Sequence, residues 1–408
     1  MKYEQGNIFS GSARMQMNDS IELTARSLNA YGPTHKHWAV AWSGGKDSTA
    51  TLTLLVYLIE SGKVTKPETL TVLFADTRLE LVPLMAAAHE IMDDLRERGI
   101  QVRVVMSPLD QRFFVYMFGR GVPPSGAGFR WCTGLIKIEP MEAALRELVG
   151  ELGEKVLMIT GVRQGESAVR DQRIIMSCGK DGAECGQGWY QETLPAALCD
   201  TLAPLLHWRV CHVWQWLRSW APLVEYGDWH TKLLADAYGG DEAEEKNART
   251  GCMGCPVASK DVALENIVES PQWAYLRPLL RLRPMFERLR SDKSFRKRKR
   301  AGERDAKGQL VKKQQRLGPL TMEARRWGVA EVLAIQAECN AAALALGRPL
   351  VDILNLEEVA RIEELMMLNT WPDKWTGEEP TADEWQTPAY ADGSSLGLLD
   401  FMKTTGDG

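Results

Sequence analysis

Apolar residues gather in short runs separated by longer stretches with helical spacing. Residues 38–42, Trp-Ala-Val-Ala-Trp, run into the turn Ser43-Gly44-Gly45, and apolar positions at helical spacing follow from Ser48 to about Ile59. Similar runs cover residues 70–75, ending at Asp76-Thr77; 102–106; and 156–160, ending at Gly161-Val162-Arg163. Helical spacing recurs between them at about 83–98 and 139–150. This alternation predicts an α/β fold, a parallel sheet covered by helices. In such sheets ligands bind beyond the carboxyl ends of the strands, where Ser43, Asp76 and Arg163 fall.

From about residue 200 the pattern changes to Trp-rich helices (Trp208, Trp214, Trp216, Trp220), then a Gly/Cys loop at 251–256, then a basic stretch. Residues 320–368 have helical spacing, and the last 35 or so, with Pro372, Pro380, Pro388 and Gly393, predict an irregular tail. The expected organisation is an N-terminal segment at 1–34, an α/β domain at 35–225, a Cys-containing loop and basic region at 226–330, and a helical segment with its tail at 331–408. The C-terminal part is thus an appended, mostly helical region. No internal repeat is visible.

With 408 residues, 45% hydrophobic and 25% charged, the chain can bury a full core in two or three domains. Its beginning has no apolar signal region, and no stretch approaches the roughly 18 uninterrupted apolar residues of a membrane span, so a cytoplasmic protein with no membrane partner is expected. The net charge of −5 conceals an asymmetry: residues 281–316 are heavily basic, and those from Glu357 onward mostly acidic. A nucleic-acid partner is therefore compatible with the charge. Without a secretion signal, the eight cysteines read as thiols for metal or redox work.

A glycine turn opening a helix aims backbone N–H groups and the positive end of the helix dipole at an anion, which suits a polyphosphate. Ser43-Gly44-Gly45-Lys46-Asp47-Ser48-Thr49 is not a Walker A loop, G-x-x-x-x-G-K-[ST]. It resembles the PP-loop, S-G-G-x-D-S, of the adenine-nucleotide alpha-hydrolase families, which release pyrophosphate by attack at the α-phosphorus of ATP. That resemblance implies ATP phosphate binding by Ser43, Gly44, Gly45, Lys46, Asp47, Ser48 and Thr49, with Mg²⁺ offsetting the charge and with Asp76, Gly161 and Arg163 nearby. The alternative is a tight turn in which Asp47 or Ser48 merely caps the helix.

Two further segments, Gly161-Val162-Arg163-Gln164-Gly165-Glu166-Ser167-Ala168-Val169-Arg170 and Arg130-Trp131-Cys132-Thr133-Gly134, are similar to segments of the phosphoadenosine phosphosulfate reductase superfamily. So is Leu202-Ala-Pro-Leu-Leu-His-Trp followed by Val213-Trp214, and the resemblance covers about residues 35–260. Arg163, Arg170 and Arg173, with Glu166 beside them, form either a clamp for phosphate or sulfate oxygens or a solvated helix face. The mobile E-C-G-L-H ending of sulfonucleotide reductases is missing, and Cys339 in Ala-Glu-Cys-Asn-Ala-Ala reads as a small buried residue. The chain more closely resembles the DndC and SspD type of DNA phosphorothioation protein, which joins a PP-loop to a cysteine-bound iron–sulfur cluster.

Cys252-Met-Gly-Cys255 can present two thiolates to one metal, and Cys178 and Cys185 could complete a four-thiolate site. In a rival arrangement Cys132 is a ligand, as in cluster-binding relatives. Four thiolates suit zinc as well as a 4Fe–4S cluster; the resemblance implies the cluster. If Cys132 is not a ligand, Arg130 and Lys137 favour a thiolate that carries persulfide sulfur. Cys199 and Cys211 read as buried packing beside Trp and Leu.

The run from Phe295 to Arg300, with Lys312, Lys313 and Arg316 beyond, offers cations to a phosphate backbone or forms a solvated surface. The resemblance implies an enzyme in which Lys46, Asp47, Cys132, Arg163 and Arg170 serve catalysis. Its partners would be DNA, a cysteine desulfurase and other subunits of a modification complex. The alternatives are a sulfonucleotide reductase, a tRNA-thiolating enzyme, and a non-catalytic metal-bearing nucleic-acid adaptor.

Overall fold

The computed structural model describes residues 16–126, 128–165, 197–238, 251–258, 260–299 and 316–384. It divides into two compact units, Met1–Asp76 with Glu80–Met106 and Glu139–Thr250, and Thr77–Leu79 with Ser107–Ile138 and Gly251–Gly408. The units interleave along the chain rather than following one another.

The first unit is built on five strands, β1 (His37–Trp42), β2 (Thr69–Asp76), β3 (Gln101–Met106), β4 (Val156–Thr160) and β5 (Cys199–Leu202). Their order is β3-β2-β1-β4-β5, and every neighbouring pair is parallel. A strand covered on both faces is mostly apolar, and all five residues of β4, Val156 to Thr160, are buried. Among the described residues of this unit the α-helices are α1 (Met17–Tyr31), α2 (Lys46–Glu60), α3 (Val82–Glu97), α4 (Glu139–Leu152), α5 (Val210–Gln215) and α6 (Lys232–Ala237).

Leu145 and Leu148 of α4 pack against Ala39, Leu73, Val105, Val156, Met158 and Cys199 on one sheet face. Trp42 and Phe74, whose ring centroids are 4.9 Å apart, belong to the other. There the Trp42 indole N–H donates to Thr49 of α2 at 2.9 Å, and Trp216 donates to Thr53 at 2.9 Å. The four long apolar runs all form strands as predicted. Neither α1 nor β5 was anticipated. The buried face of α1 is built partly of Ser20, Thr24 and Ser27, and β5 is only four residues long.

The second unit holds α7 (Val262–Glu269), α8 (Leu282–Ser291), the antiparallel ribbon β6 (Arg296–Arg298) and β7 (Leu317–Leu320), α9 (Met322–Leu346) and α10 (Leu356–Met367). The stretch predicted to be helical at 320–368 is two helices, because Gly347 closes α9 in the left-handed conformation and Asn355 with Glu358 caps α10. Phe113 stacks on Trp131 with centroids 5.2 Å apart and meets Phe286 edge-on at 5.6 Å. Arg325 of α9 is fully buried and donates to the carbonyls of Phe118 (2.5 Å) and Thr370 (3.0 Å), and to that of Gly119. By length and composition alone α9 could cross a membrane. Here its Arg325 reaches those carbonyls, and its Glu331 and Glu338 pair with Arg281.

Candidate active site

Strand order reverses between β1 and β4, so the loops leaving these two strands meet at the switch point where an open α/β sheet binds ligands. After β1, Gly44 takes φ +69°, a conformation that glycine adopts without strain, and α2 begins at Lys46. After β4 comes Gly161. A Cβ built there would lie 2.7 Å from both N and Cα of Ser48, so only glycine lets the two loops pack this closely.

Ser48 Oγ donates to the Gly45 carbonyl at 3.1 Å, lies 3.2 Å from Ser43 Oγ, and accepts from the Ser43 backbone N–H at 3.3 Å. Asp47 lies between two cations: Oδ1 accepts from Arg163 Nε at 2.6 Å and Oδ2 from Lys46 Nζ at 2.9 Å. Burial pushes the Asp47 carboxyl up, but the charges and hydrogen bonds of Lys46 and Arg163 outweigh it and hold the carboxyl below the usual carboxylate range. No side chain caps α2 at Gly45. The capping alternative is therefore not what Asp47 and Ser48 do.

The structure brings together Ser43, Gly44, Gly45, Lys46, Asp47, Ser48, Gly161 and Arg163. Thr49 is fully buried, its hydroxyl turned to Trp42 rather than outward. Asp76 ends β2 on the same edge of the sheet. Arg170, Arg173 and Glu166 lie outside the described residues. No motif pointed to Tyr238, 192 positions from Lys46, whose hydroxyl accepts from the Lys46 backbone N–H at 3.3 Å.

In the second unit, the Cys255 N–H donates to the Cys252 carbonyl at 3.1 Å, so the two cysteines flank a tight turn, both half-buried. The Gly254 N–H donates to Asp261 at 2.8 Å, and the same carboxylate caps α7 through the Leu264 N–H. Arg283 donates to the Ala258 carbonyl at 2.5 Å and Arg290 to that of Pro256 at 2.8 Å. An aspartate just ahead of Val-Ala-Leu-Glu is an N-cap signal that sequence reasoning could have used.

Cys132 is half-buried on a helical turn, its N–H donating to Ser125 Oγ at 3.3 Å. Cys178 and Cys185 lie outside the described residues, among which no three His, Cys, Asp or Glu side chains gather to hold a metal. Both Asp47 oxygens already accept from cations, Oδ1 from Arg163 and Oδ2 from Lys46. Cys199 is buried and its thiol is pushed by burial up to about 11, but Cys211 is exposed, which corrects the expectation that it packs inside.

In the basic run, Arg296 donates to the carbonyls of Gly318 (2.7 Å) and Arg290 (2.5 Å), and Arg298 to that of Glu384. Lys297 reaches the Glu379 carbonyl at 2.6 Å, and Lys299 lies 4.3 Å from the Trp375 ring. These four cations are engaged within the fold. Arg300, Lys312 and Lys313 lie outside the described residues.

A family model described as the phosphoadenosine phosphosulfate reductase domain matches residues 37–256, more than half of the chain. The chain belongs to this family. The reductase-domain match contains the glycine loop, Gly161, Arg163 and the Cys252–Cys255 turn, and it bears out the superfamily expected from the motifs. An uncharacterized protein of Methanocaldococcus jannaschii is 26% identical over 229 residues, 56% of this chain and 38% of that protein. The chain thus spans less than half the length of that curated relative.

Solved structures similar over part of the chain include phosphoadenylyl-sulfate reductase of Candida auris in a phosphate complex, with TM-score 0.34, 13% identity, and coverage of 59% of this chain and 98% of that one. FMN adenylyltransferase of Candida glabrata with FMN and an ATP analog has TM-score 0.32 and 16% identity over 52% and 60%. The U34-tRNA thiolase NcsA of Methanococcus maripaludis with its 4Fe–4S cluster has TM-score 0.31 and 15% identity over 67% and 79%. The strand order and the family match give the fold of the reductase-domain family.

Proposed function

We propose that the chain is a PP-loop ATP pyrophosphatase that adenylates a backbone phosphate of DNA so that sulfur can replace one of its oxygens. The observation that supports the ATP half is Asp47 held between Lys46 and Arg163 at the switch point. This fixes an ammonium and a guanidinium beside the first turn of α2, where free N–H groups and the helix dipole favour phosphate oxygens. Charge developing on the departing pyrophosphate meets positive groups already in place.

A non-bridging oxygen of the DNA phosphate attacks the α-phosphorus, the bond to the β-phosphate breaks, and pyrophosphate leaves. The product is a mixed anhydride of DNA and AMP. The terminal sulfur of a persulfide then attacks the DNA phosphorus and expels AMP, and a thiol reductant cleaves the remaining S–S bond. Cys132 is the candidate carrier, with a cysteine desulfurase as donor. The choice of DNA rests on the resemblance to DndC and SspD proteins.

A sulfonucleotide reductase is the second reading, favoured by the family match. Against it, Cys339 is fully buried in α9 and burial pushes its thiol up to about 11, which does not suit an exposed nucleophile. The test is pyrophosphate release from ATP by anaerobically purified protein. DNA-stimulated release is expected. Sulfite formation from the sulfonucleotide with a thiol reductant, and no pyrophosphate, would overturn the proposal.

A further inference from the structure

Lys46 is held on two sides. Asp47 takes its ammonium at 2.9 Å, and Tyr238 meets both its backbone and its side chain. The Tyr238 hydroxyl accepts from the Lys46 N–H at 3.3 Å, and the ammonium lies 5.6 Å from the centroid of the same ring. A Cβ built on Gly45 would come within 3.6 Å of that hydroxyl, so the tyrosine borders the glycine turn itself.

Tyr238 is in turn firmly placed. It is 3% exposed and forms the C-cap of α6, a helix that packs on α3. Trp214 of α5 meets its ring edge-on, with centroids 5.1 Å apart. A lysine ammonium on a four-carbon stem is flexible, so its value to a phosphate depends on what restricts it. A tyrosine ring offers its negative face to the cation, and the fixed hydroxyl orients the first N–H of α2.

We infer that Tyr238 is a positioning residue for the phosphate loop, setting the orientation of Lys46 toward the β- and γ-phosphates of ATP. This rests on the reading of the loop as an ATP site. Its chemical signature is selective: affinity for a triphosphate should depend on Tyr238, whereas affinity for AMP, which lacks the phosphates that Lys46 would meet, should not.

The experiment is titration of ATP and of AMP into the full-length protein, comparing the natural chain with Tyr238→Phe and Tyr238→Leu, each checked by thermal melting. Tyr238→Phe keeps the ring and should weaken ATP binding about threefold; Tyr238→Leu loses ring and hydroxyl and should weaken it about tenfold. AMP binding should stay within about twofold in both, since a surface contact that is not made cannot be lost. Equal losses for ATP and AMP would mean a merely structural residue and overturn the inference. So would unchanged ATP binding in Tyr238→Leu or, should that variant melt early, in a normally melting Tyr238→Phe. Failure of the natural protein to bind ATP at all would instead overturn the reading of the loop, and this inference with it.

Discussion

Gly161 lies against the backbone of Ser48, with room for no side chain between them: a Cβ would sit 2.7 Å from Ser48 N and Cα. Because both partners are backbone, neither can swing away. Gly161→Ala should therefore cost about 1–3 kcal/mol of stability, read by urea unfolding, and displace the glycine loop enough to weaken ATP binding.

Asp47→Asn should lower pyrophosphate release by about a hundredfold or more, because it releases Lys46 and Arg163 together. Its pH signature follows from the depressed carboxyl of Asp47. The unfolded group titrates near an ordinary aspartate, about 3.9. The ionised contact therefore stabilises the fold in full above that pH and is lost as pH falls through the lower folded value. The stability difference between Asp47→Asn and the natural chain should be flat through neutrality and shrink only in strong acid.

His230 should show the opposite sign. Its Nδ1 lies 2.7 Å from Asp94 Oδ1, and the hydrogen bond and charge of that carboxylate raise the imidazole. The contribution is present in full below the unfolded value of about 6.5 and disappears as pH rises through the folded one. Denaturant titrations of His230→Gln and the natural chain should differ at pH 5.5 and draw together as the pH rises into the alkaline range.

Were the Cys252–Cys255 turn a metal site, Cys252→Ser and Cys255→Ser would each lower the iron or zinc content of anaerobically prepared protein, measured by elemental analysis and visible absorption. Cys211→Ser, at an exposed position, should leave the metal content as it was.

Arg296→Gln removes donors from the carbonyls of Gly318 and Arg290, and burial lowers the guanidinium to about 10. A loss of about 2–3 kcal/mol in urea is expected, with DNA affinity at fixed salt unchanged.

The strands and the glycine loop were legible because continuous apolar runs and a seven-residue motif are local signals. So was the placing of Arg163 near the loop, since strand ends in a parallel sheet share one edge. The contact of Arg163 with Asp47 was not, because it depends on β4 lying beside β1, a choice made by sheet order 116 positions away in sequence. Tyr238 is the same case at longer range. In the basic run, sequence counts the cations of Arg296, Lys297 and Arg298 but not the carbonyls that receive them.

The interleaving of the two units sets a rule for dissecting the protein. Phe113, Phe114 and Trp131 precede α4 in the chain, yet they pack with Phe286 in the other unit's core. A fragment stopped at residue 250 would present those rings to water with nothing to cover them, inviting association with any apolar surface. One beginning at residue 251 would lack half of its own aromatic centre. Neither half is a separable module, and a gene split at that point should yield soluble protein only when both pieces are produced together.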